Sequence, residues 1–272
     1  MDLSGMLFLY ENKNGGGDSM AEIPNRTLQR GLEMLETLSA HPQGIALCDL
    51  TRAMGLPRTT AYNLLQTLVY LGYAVLSPKN GKYVLGSRMF EIGSAWMQDQ
   101  DDMPMLREGM RQVQSVLNET VHLGVRSGNE MLYIDKLDST RAIRMTSRIG
   151  TRAPLYCTAL GKALLSGMTD EQIRRLYGQE ELKAYTAHTI TDVDRLLEQI
   201  GEVRRNGYAV EREENEPNVC CVAVPLCSAA GEAVYAMSVS APSFRMEETE
   251  LRRCVEMLTS VRQKLEPYLQ TV

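Results

Sequence analysis

The segment 47–73 constrains the fold of this chain most, because it predicts two short amphipathic helices joined by a tight turn. In the first helix apolar residues recur at helical spacing, namely Leu47, Leu50, Ala53 and Met54. Gly55-Leu56-Pro57 then ends that helix, since glycine adopts conformations that other residues avoid and proline restricts the residue before it. The second helix carries one apolar face, made by Ala61, Leu64, Leu65, Leu68 and Leu71. This pattern is typical of a helix-turn-helix, whose second helix enters the major groove of DNA.

The opposite face of the second predicted helix is polar and can donate to phosphates or recognise base edges. Its candidate DNA-binding residues are Arg58, Thr59, Thr60, Tyr62, Asn63 and Gln66. An ordinary helical hairpin with a solvated polar face would show the same short pattern. The residues that follow favour DNA binding, because segments 72–76 and 82–85 predict two strands around a turn at 77–81. A helix-turn-helix followed by a hairpin is a winged helix, and the wing tip carries Lys79 and Lys82 as candidate phosphate contacts.

The whole chain of 272 residues is long enough for two domains with separate cores. Its 44% hydrophobic and 23% charged residues are typical of a globular protein, and no apolar run approaches the roughly 20 residues of a membrane span. The early apolar run 7–10 is too short for a signal peptide. Six cysteines without paired metal-ligand spacing indicate a reduced, cytoplasmic chain with no metal or other cofactor.

The charge is unevenly distributed along the chain. Residues 20–95 carry seven Lys/Arg against five Asp/Glu, whereas residues 96–272 carry 21 Lys/Arg against 26 Asp/Glu. A mildly basic N-terminal part is suited to DNA, and the acidic remainder is suited to another task. Because the basic excess is small, one copy is expected to bind DNA weakly, and dimerisation is expected to be needed.

The composition and the turn-forming residues along the chain predict four regions. Residues 1–24 are expected to be disordered or a mis-assigned N-terminal extension, with Met20 as an alternative to Met1 as the true start. Residues 25–86 form the winged helix-turn-helix domain, 87–104 a linker helix, and 105–272 an effector-binding domain. The first helix of the winged domain, at about 25–40, is predicted to carry an apolar stripe of Leu28, Leu32, Leu35 and Leu38.

The C-terminal region predicts strands grouped among helices without regular alternation, which favours an α+β domain with an antiparallel sheet. Strands are expected at 121–125, 131–137, 142–147, 219–226 and 233–240. Helices are expected at 106–119, 157–166, from 169 with Thr169 as N-cap, at 193–206 and at 247–269.

Several separated motifs resemble the IclR-type bacterial transcriptional regulators, over about residue 25 to the C-terminus. Besides the winged helix and linker, they are the segments 150–165, 207–214, 221–225 and 238–242. Segments 121–124 and 143–150 are most similar to regulators of sugar-acid and pentose catabolism. The resemblance implies a GAF-like C-terminal domain, a homodimer or dimer of dimers, and a double-stranded operator near catabolic genes. It also implies a regulator that acts more often as a repressor than as an activator. Many members have arginine where this chain has Asn63, and asparagine favours adenine whereas arginine favours guanine.

The same resemblance implies a cup for a small carboxylated metabolite in the C-terminal domain. The corresponding positions are Met145, Leu155, Thr158, Ala159, Gly161, Glu211, Cys221, Ser238 and Ser240. A helix N-terminus can bind a carboxylate, Gly161 is expected to permit close approach, and Ser238 and Ser240 share one strand face. The two serines could instead be small polar core residues. The chain departs from its relatives at Glu216-Pro217-Asn218, where they usually have a glycine, and this affects the predicted pocket mouth.

Two cysteine-based alternatives compete with this function. Cys157 or Cys221 with His188, oriented by Glu211, could form a nucleophile and base, although no histidine lies beside a cysteine in a recognisable motif. The adjacent pair Cys220-Cys221 could sense oxidants, although neighbouring strand residues point to opposite faces and are poorly placed to bridge.

Overall fold

The computed structural model describes residues 23–98, 102–178 and 182–269. It separates into two compact units that divide the chain between residues 101 and 102. The predicted extension at 1–24, with the alternative start at Met20, lies outside the described residues apart from residues 23 and 24.

The N-terminal unit is a winged helix, as predicted. It contains α1 (Arg26–Ser39), α2 (Leu47–Met54), α3 (Arg58–Tyr70), β1 (Ala74–Leu76), β2 (Tyr83–Leu85) and α4 (Arg88–Gln98). The Asn25 side chain accepts a hydrogen bond from Leu28 N and so caps α1, and Gly55 ends α2 in the left-handed region at φ 61°. The wing strands pair antiparallel, and Ile45 bridges to Tyr83.

The buried residues of this unit differ from the predicted apolar faces of its helices at the ends of α1 and α3. Leu28 and Leu32 are 61% and 53% exposed, because the core packs against the C-terminal half of α1. On α3 the predicted face is buried at Ala61 and Leu65. Leu71 is 52% exposed, since it lies after the last turn of α3, at its C-cap. The buried side chains are Met34, Leu35, Leu38, Ile45, Leu50, Ala61, Leu65, Ala74 and Tyr83.

The C-terminal unit is built on a six-stranded antiparallel sheet, which confirms the predicted α+β class. Its strand order is β5-β4-β3-β8-β7-β6. The strands are β3 (Thr120–Ser127), β4 (Glu130–Leu137), β5 (Arg152–Pro154), β6 (Ala209–Arg212), β7 (Val219–Cys227) and β8 (Ala233–Pro242). The helices are α5 (Met103–Leu117), α6 (Ala159–Leu165), α7 (Asp170–Tyr177), α8 (Val193–Asn206) and α9 (Glu248–Leu265).

Strict alternation along the central strands divides the side chains between two cores. On β8, Tyr235, Met237 and Val239 join the core that contains α5 and α9, whereas Ala236 joins the core that contains α6 and α8. Ser238 and Ser240 share the face of Ala236, as predicted from the period of two. The sheet is therefore the middle layer between two helical layers.

Two expectations for this unit are wrong. The predicted strand at 142–147 is irregular, and the next strand is β5. The closing helix is shorter than predicted, because α9 ends at Leu265 and a 3-10 turn covers Glu266–Tyr268. The Thr169 cap is confirmed as a full capping box with Gln172. None of the helices in the described part of the chain combines the length and apolar character that a bilayer span requires.

Candidate functional site

The N-terminal end of α3 presents most of the predicted DNA-binding side chains to solvent. Arg58, Thr59, Tyr62 and Asn63 are exposed, whereas Thr60 and Gln66 are partly buried. Pro57 precedes the helix, and no side chain caps its first turn. The amide N–H groups of that turn therefore have no cap acceptor, and they suit a phosphate oxygen.

The wing turn displays two lysines in the same unit. Ser77 N donates to Lys82 O over 2.8 Å, and Lys82 N donates to Asn80 Oδ1 over 3.1 Å, which closes the turn. Lys79 and Lys82 are both exposed. A phosphate backbone can approach these ammonium groups without any rearrangement of the hairpin core.

A cavity of about 230 Å³ lies in the C-terminal unit. The sheet contributes its floor, and α6 and loop residues line its walls. Seven of the nine predicted effector positions line it: Met145, Thr158, Ala159, Glu211, Cys221, Ser238 and Ser240. The lining also contains Glu216, which belongs to the segment predicted to affect the pocket mouth. The other lining residues were not predicted, and they are His122, Tyr133, Thr146, Ser147, Thr151, Arg152, Ala153, Leu160, Asn215 and Val219.

Leu155 and Gly161 do not line this cavity. Leu155 is fully buried in the core with α6 and α8. A Cβ atom on Gly161 would lie 2.2 Å from Leu155 O, so the absent side chain lets α6 pack against the backbone of residue 155. The close approach predicted at Gly161 is therefore made by the backbone of Leu155 against α6, and not by a ligand.

A hydrogen-bonded row of side chains crosses the floor. The Cys221 thiol donates to Ser240 Oγ over 3.1 Å, and Ser240 Oγ lies 3.3 Å from His122 Nδ1. On its other side, His122 Nε2 lies 2.6 Å from Ser147 Oγ. Burial, and secondarily the Lys136 charge, lowers the pKa of His122 to about 3, so the imidazole is neutral at physiological pH.

Glu211 places a buried carboxyl at the β6 edge of the cavity. It accepts hydrogen bonds from the backbone N–H groups of Glu214, at 2.5 Å, and Asn215, at 3.3 Å. Burial raises the pKa of Glu211 to about 7 in spite of these bonds, and the neighbouring Glu214 charge acts in the same direction. The side chain therefore changes protonation near neutral pH.

A buried ion pair holds the turn that follows Glu211. Lys162 Nζ lies 2.5 Å and 2.7 Å from the two Glu214 carboxylate oxygens and 2.6 Å from Gln199 Oε1. Thr186 Oγ1 and Thr189 Oγ1 each lie 2.6 Å from a carbonyl oxygen, those of Glu213 and Glu214 respectively. These contacts fix the backbone that carries Asn215 and Glu216 at the cavity edge.

The departure at Glu216-Pro217-Asn218 lies in this turn. Glu213 and Asn218 have φ values of 58° and 62°, which non-glycine residues rarely adopt. Glu216 lines the cavity. The turn therefore contributes a carboxylate and an amide to the cavity edge, where the sequence had indicated only an altered mouth.

The cysteine-based alternatives are not favoured. Cys220 belongs to the core with α5 and α9, whereas Cys221 lines the cavity on the other face. Burial raises the pKa of Cys221 well above its usual value and that of Cys157 to about 12, so both remain thiols. His188 is exposed on a loop, and in the described ranges no cluster of three His, Cys, Asp or Glu side chains is arranged for a metal ion.

Comparisons with known proteins agree with both units. The sequence-family model of the bacterial transcriptional regulator IclR C-terminal domain matches residues 98–266. The family model of the IclR helix-turn-helix domain matches residues 27–78. The HTH-type transcriptional regulator KdgR of Dickeya chrysanthemi is 36% identical over 214 residues, which cover 79% of this chain and 70% of that protein. The HTH-type transcriptional repressor AllR of Escherichia coli K12 is 29% identical over 234 residues, covering 86% of each chain.

Among solved structures, the IclR protein of Thermotoga maritima is 28% identical and superposes with a TM-score of 0.71 over 88% of this chain and 98% of its own. Two family models in the expected order, a relative above 30% identity and a common fold all point to one assignment. The chain belongs to the IclR family and is a DNA-binding transcriptional regulator, not an enzyme.

Proposed function

We propose that this protein represses a catabolic operon and that a small carboxylated metabolite, bound in the C-terminal cavity, controls its affinity for the operator. The observation that carries the effector assignment is the cavity of about 230 Å³, at which seven predicted positions from separate strands, a helix and a loop converge. A cavity of this size suits a small metabolite, since drug-sized ligands occupy larger ones. The name of the relative AllR, a transcriptional repressor, supports repression.

The lining suits a ligand with one carboxylate and several hydroxyl groups, as in a sugar acid. Arg152 is the one Arg or Lys among the lining residues. Its guanidinium contacts Ser127 O and Glu130, neither of which lines the cavity, so it binds a ligand carboxylate by turning away from these two partners. Ser238, Ser240 and Glu211 offer hydroxyl and carboxyl partners to ligand hydroxyls. The α6 N-terminus contributes less than predicted, because Thr158 Oγ1 already accepts from Gly161 N.

For the operator, we assign phosphate contacts to Arg58, Lys79 and Lys82, and base recognition to the exposed face of α3 around Asn63. Asn63 and Tyr62 are exposed, and Thr59 lies one turn before Asn63. Asparagine can pair with the N6 and N7 atoms of adenine. Helix-turn-helix dimers bind half-sites about one helical turn apart, so a palindrome with adenine at the Asn63 position is the expected operator.

One experiment separates the DNA site from the effector site. Duplexes selected from random DNA by the full-length protein define the operator, and calorimetry tests D-gluconate, D-galacturonate and pyruvate as effectors. Asn63→Ala is expected to lose roughly 1–3 kcal/mol of base discrimination while it still binds the acid. Ser238→Ala is expected to bind the operator normally but to bind the acid roughly tenfold more weakly.

Ser228→Ala is the matched control, because Ser228 is also buried, at 6% exposure against 1% for Ser238, but does not line the cavity. It is expected to behave as the wild type in both assays. Failure to enrich any duplex would contradict the DNA assignment. Acid binding that leaves operator affinity unchanged, or no binding of any acid in the panel, would contradict the effector assignment.

A further inference from the structure

One wall of the cavity is formed by Met145, Thr146 and Ser147 of the segment 142–149, and side chains hold this segment in place. It forms neither helix nor strand. Arg245 Nη2 donates to Ile143 O over 2.9 Å, and Lys136 Nζ donates to Met145 O over 3.2 Å and to Ser147 O over 2.7 Å. His122 contributes the shortest of these contacts, at 2.6 Å to Ser147 Oγ. The position of the wall therefore depends on a few long-range side-chain bonds.

His122 also contacts the floor, so one ring bridges two parts of the cavity. Its side chain is 1% exposed, and its ring lies 4.8 Å from the Tyr133 ring, centroid to centroid. Packing from the sheet thus fixes the ring plane, while Nδ1 faces Ser240 and Nε2 faces Ser147. The wall residue and the floor residue are 93 positions apart in sequence, and the imidazole is their common partner.

A neutral imidazole has one donor nitrogen and one acceptor nitrogen, so its two contacts are not independent. If Ser240 donates to Nδ1, then Nε2–H donates to Ser147. If the Ser240 hydroxyl donates to a ligand acceptor instead, the ring adopts the other tautomer, in which Nδ1–H donates to Ser240 and Nε2 accepts from Ser147. The Ser240 hydroxyl, which also accepts from the Cys221 thiol, is therefore coupled through the imidazole ring to the Ser147 hydroxyl in the wall.

We propose that His122 is a positioning residue of the effector cavity, which holds the 142–149 wall against the floor and couples the Ser147 hydroxyl to the Ser240 hydroxyl. This inference rests on the proposed effector site. His122 and Ser147 lie in segments 121–124 and 143–150, which resemble sugar-acid regulators, but neither residue was among the predicted effector positions. His122 acts through the two serines, and it sets the width and the hydrogen-bond directions at that end of the cavity.

Two substitutions separate the two halves of the bridge. The amide nitrogen of glutamine stands close to the position of Nε2, so His122→Gln is expected to keep the Ser147 contact and lose the Ser240 contact. The side chain of asparagine reaches only the position of Nδ1, so His122→Asn is expected to keep the Ser240 contact and release the wall. Ser147→Ala removes the wall contact from the other side at a partly exposed position, where folding is not at risk.

The test is amide hydrogen exchange of the full-length protein over 142–151, in which Gly150 N and Thr151 N donate to Tyr133 O and Arg148 O, with calorimetry using D-gluconate and D-galacturonate. His122→Asn and Ser147→Ala should accelerate exchange of the wall about 3- to 10-fold, the effect of one net hydrogen bond. His122→Gln and Ser240→Ala should leave wall exchange at the wild-type rate. All four variants should weaken acid binding, and Ser240→Ala should weaken it most, since it also removes a hydroxyl that lines the cavity.

Equal exchange in the Asn and Gln variants would overturn the proposal, because packing alone would then hold the wall. Wall exchange at the wild-type rate in His122→Phe, which keeps an aromatic ring but has no ring nitrogen, would overturn it for the same reason. If the wild type binds neither acid, the proposed effector site fails for these ligands. The exchange data still decide by themselves whether His122 holds the wall.

Discussion

Glu211 is the titratable side chain in the cavity whose proton balance changes near neutral pH. Burial outweighs two backbone hydrogen bonds and raises its pKa to about 7. A carboxyl group whose pKa is higher in the folded than in the unfolded state binds its proton more tightly in the folded state. It therefore makes the folded protein less stable as the pH rises from about 4.5 to about 7, and above that range its contribution is constant. A ligand carboxylate placed beside Glu211 would favour the protonated form further.

Glu211→Gln is expected to remove this pH dependence. The variant should gain stability relative to the wild type as the pH rises from 5 to 8, by roughly 2–3 kcal/mol over the whole range. Glutamine keeps an oxygen that can accept from the Glu214 and Asn215 N–H groups. Urea denaturation of both proteins at four pH values measures the difference, and a difference that is constant with pH would contradict the raised pKa.

At the scale of secondary-structure elements, α6 packs unusually closely against the preceding loop. The backbone of Leu155 occupies the space where a Gly161 side chain would lie, and the same loop carries Thr158, which caps α6 and lines the cavity. Close packing between α6 and the loop that precedes it therefore requires glycine at position 161. The position of Thr158 at the cavity depends on that packing.

Gly161→Ala is expected to destabilise the protein by about 3 kcal/mol, because a methyl group at 2.2 Å from Leu155 O forces the loop and helix apart. Gly201→Ala is the matched control in α8, where the nearest atom to a new Cβ is a flexible arginine end at 3.4 Å. That variant should gain up to about 1 kcal/mol from helix propensity. Thermal or urea unfolding measures both, and equal stability of the two variants would refute the packing role of Gly161.

Elements with local signals could be predicted from the sequence, and elements with distant partners could not. The Thr169 capping box, the Gly55 stop and the β7–β8 hairpin each depend on residues close in sequence, and the structure has all three. The predicted strand at 142–147 failed, because side chains of β3, β4 and the turn after β8 hold that segment.

The same limit applies to the candidate cavity. The family resemblance supplied all seven predicted residues that line it, and strand alternation supported only the shared face of Ser238 and Ser240. His122 was missed, although a histidine between Val121 and Leu123 in an apolar strand is a signal for a buried polar partner. That signal does not say which partner, and Ser240 lies 118 positions away.

At the scale of the whole molecule, assembly bears on DNA affinity. The N-terminal part has a small basic excess, so a single winged helix has little electrostatic attraction to DNA. The same unit exposes large apolar side chains, with Leu28 and Leu32 on one face of α1 and Phe90, Ile92 and Trp96 on α4. Exposed apolar residues grouped in this way are typical of protein–protein interfaces. We propose that the α1 face contributes to a homodimer, from which a dimer of dimers can form.

Leu32→Glu is therefore expected to reduce assembly without unfolding the protein. Leu32 is 53% exposed, so a charge at this position costs little in the monomer but is unfavourable in an apolar contact between copies. The variant should sediment as a smaller species than the wild type in analytical ultracentrifugation and should bind the selected operator at least tenfold more weakly. Thr27→Glu is the control, because it adds the same charge at an exposed position in the first turn of α1, where an acidic side chain is favourable. If Leu32→Glu assembles like the wild type, the dimer contact lies elsewhere; if it dissociates yet keeps full operator affinity, one winged helix is sufficient for binding.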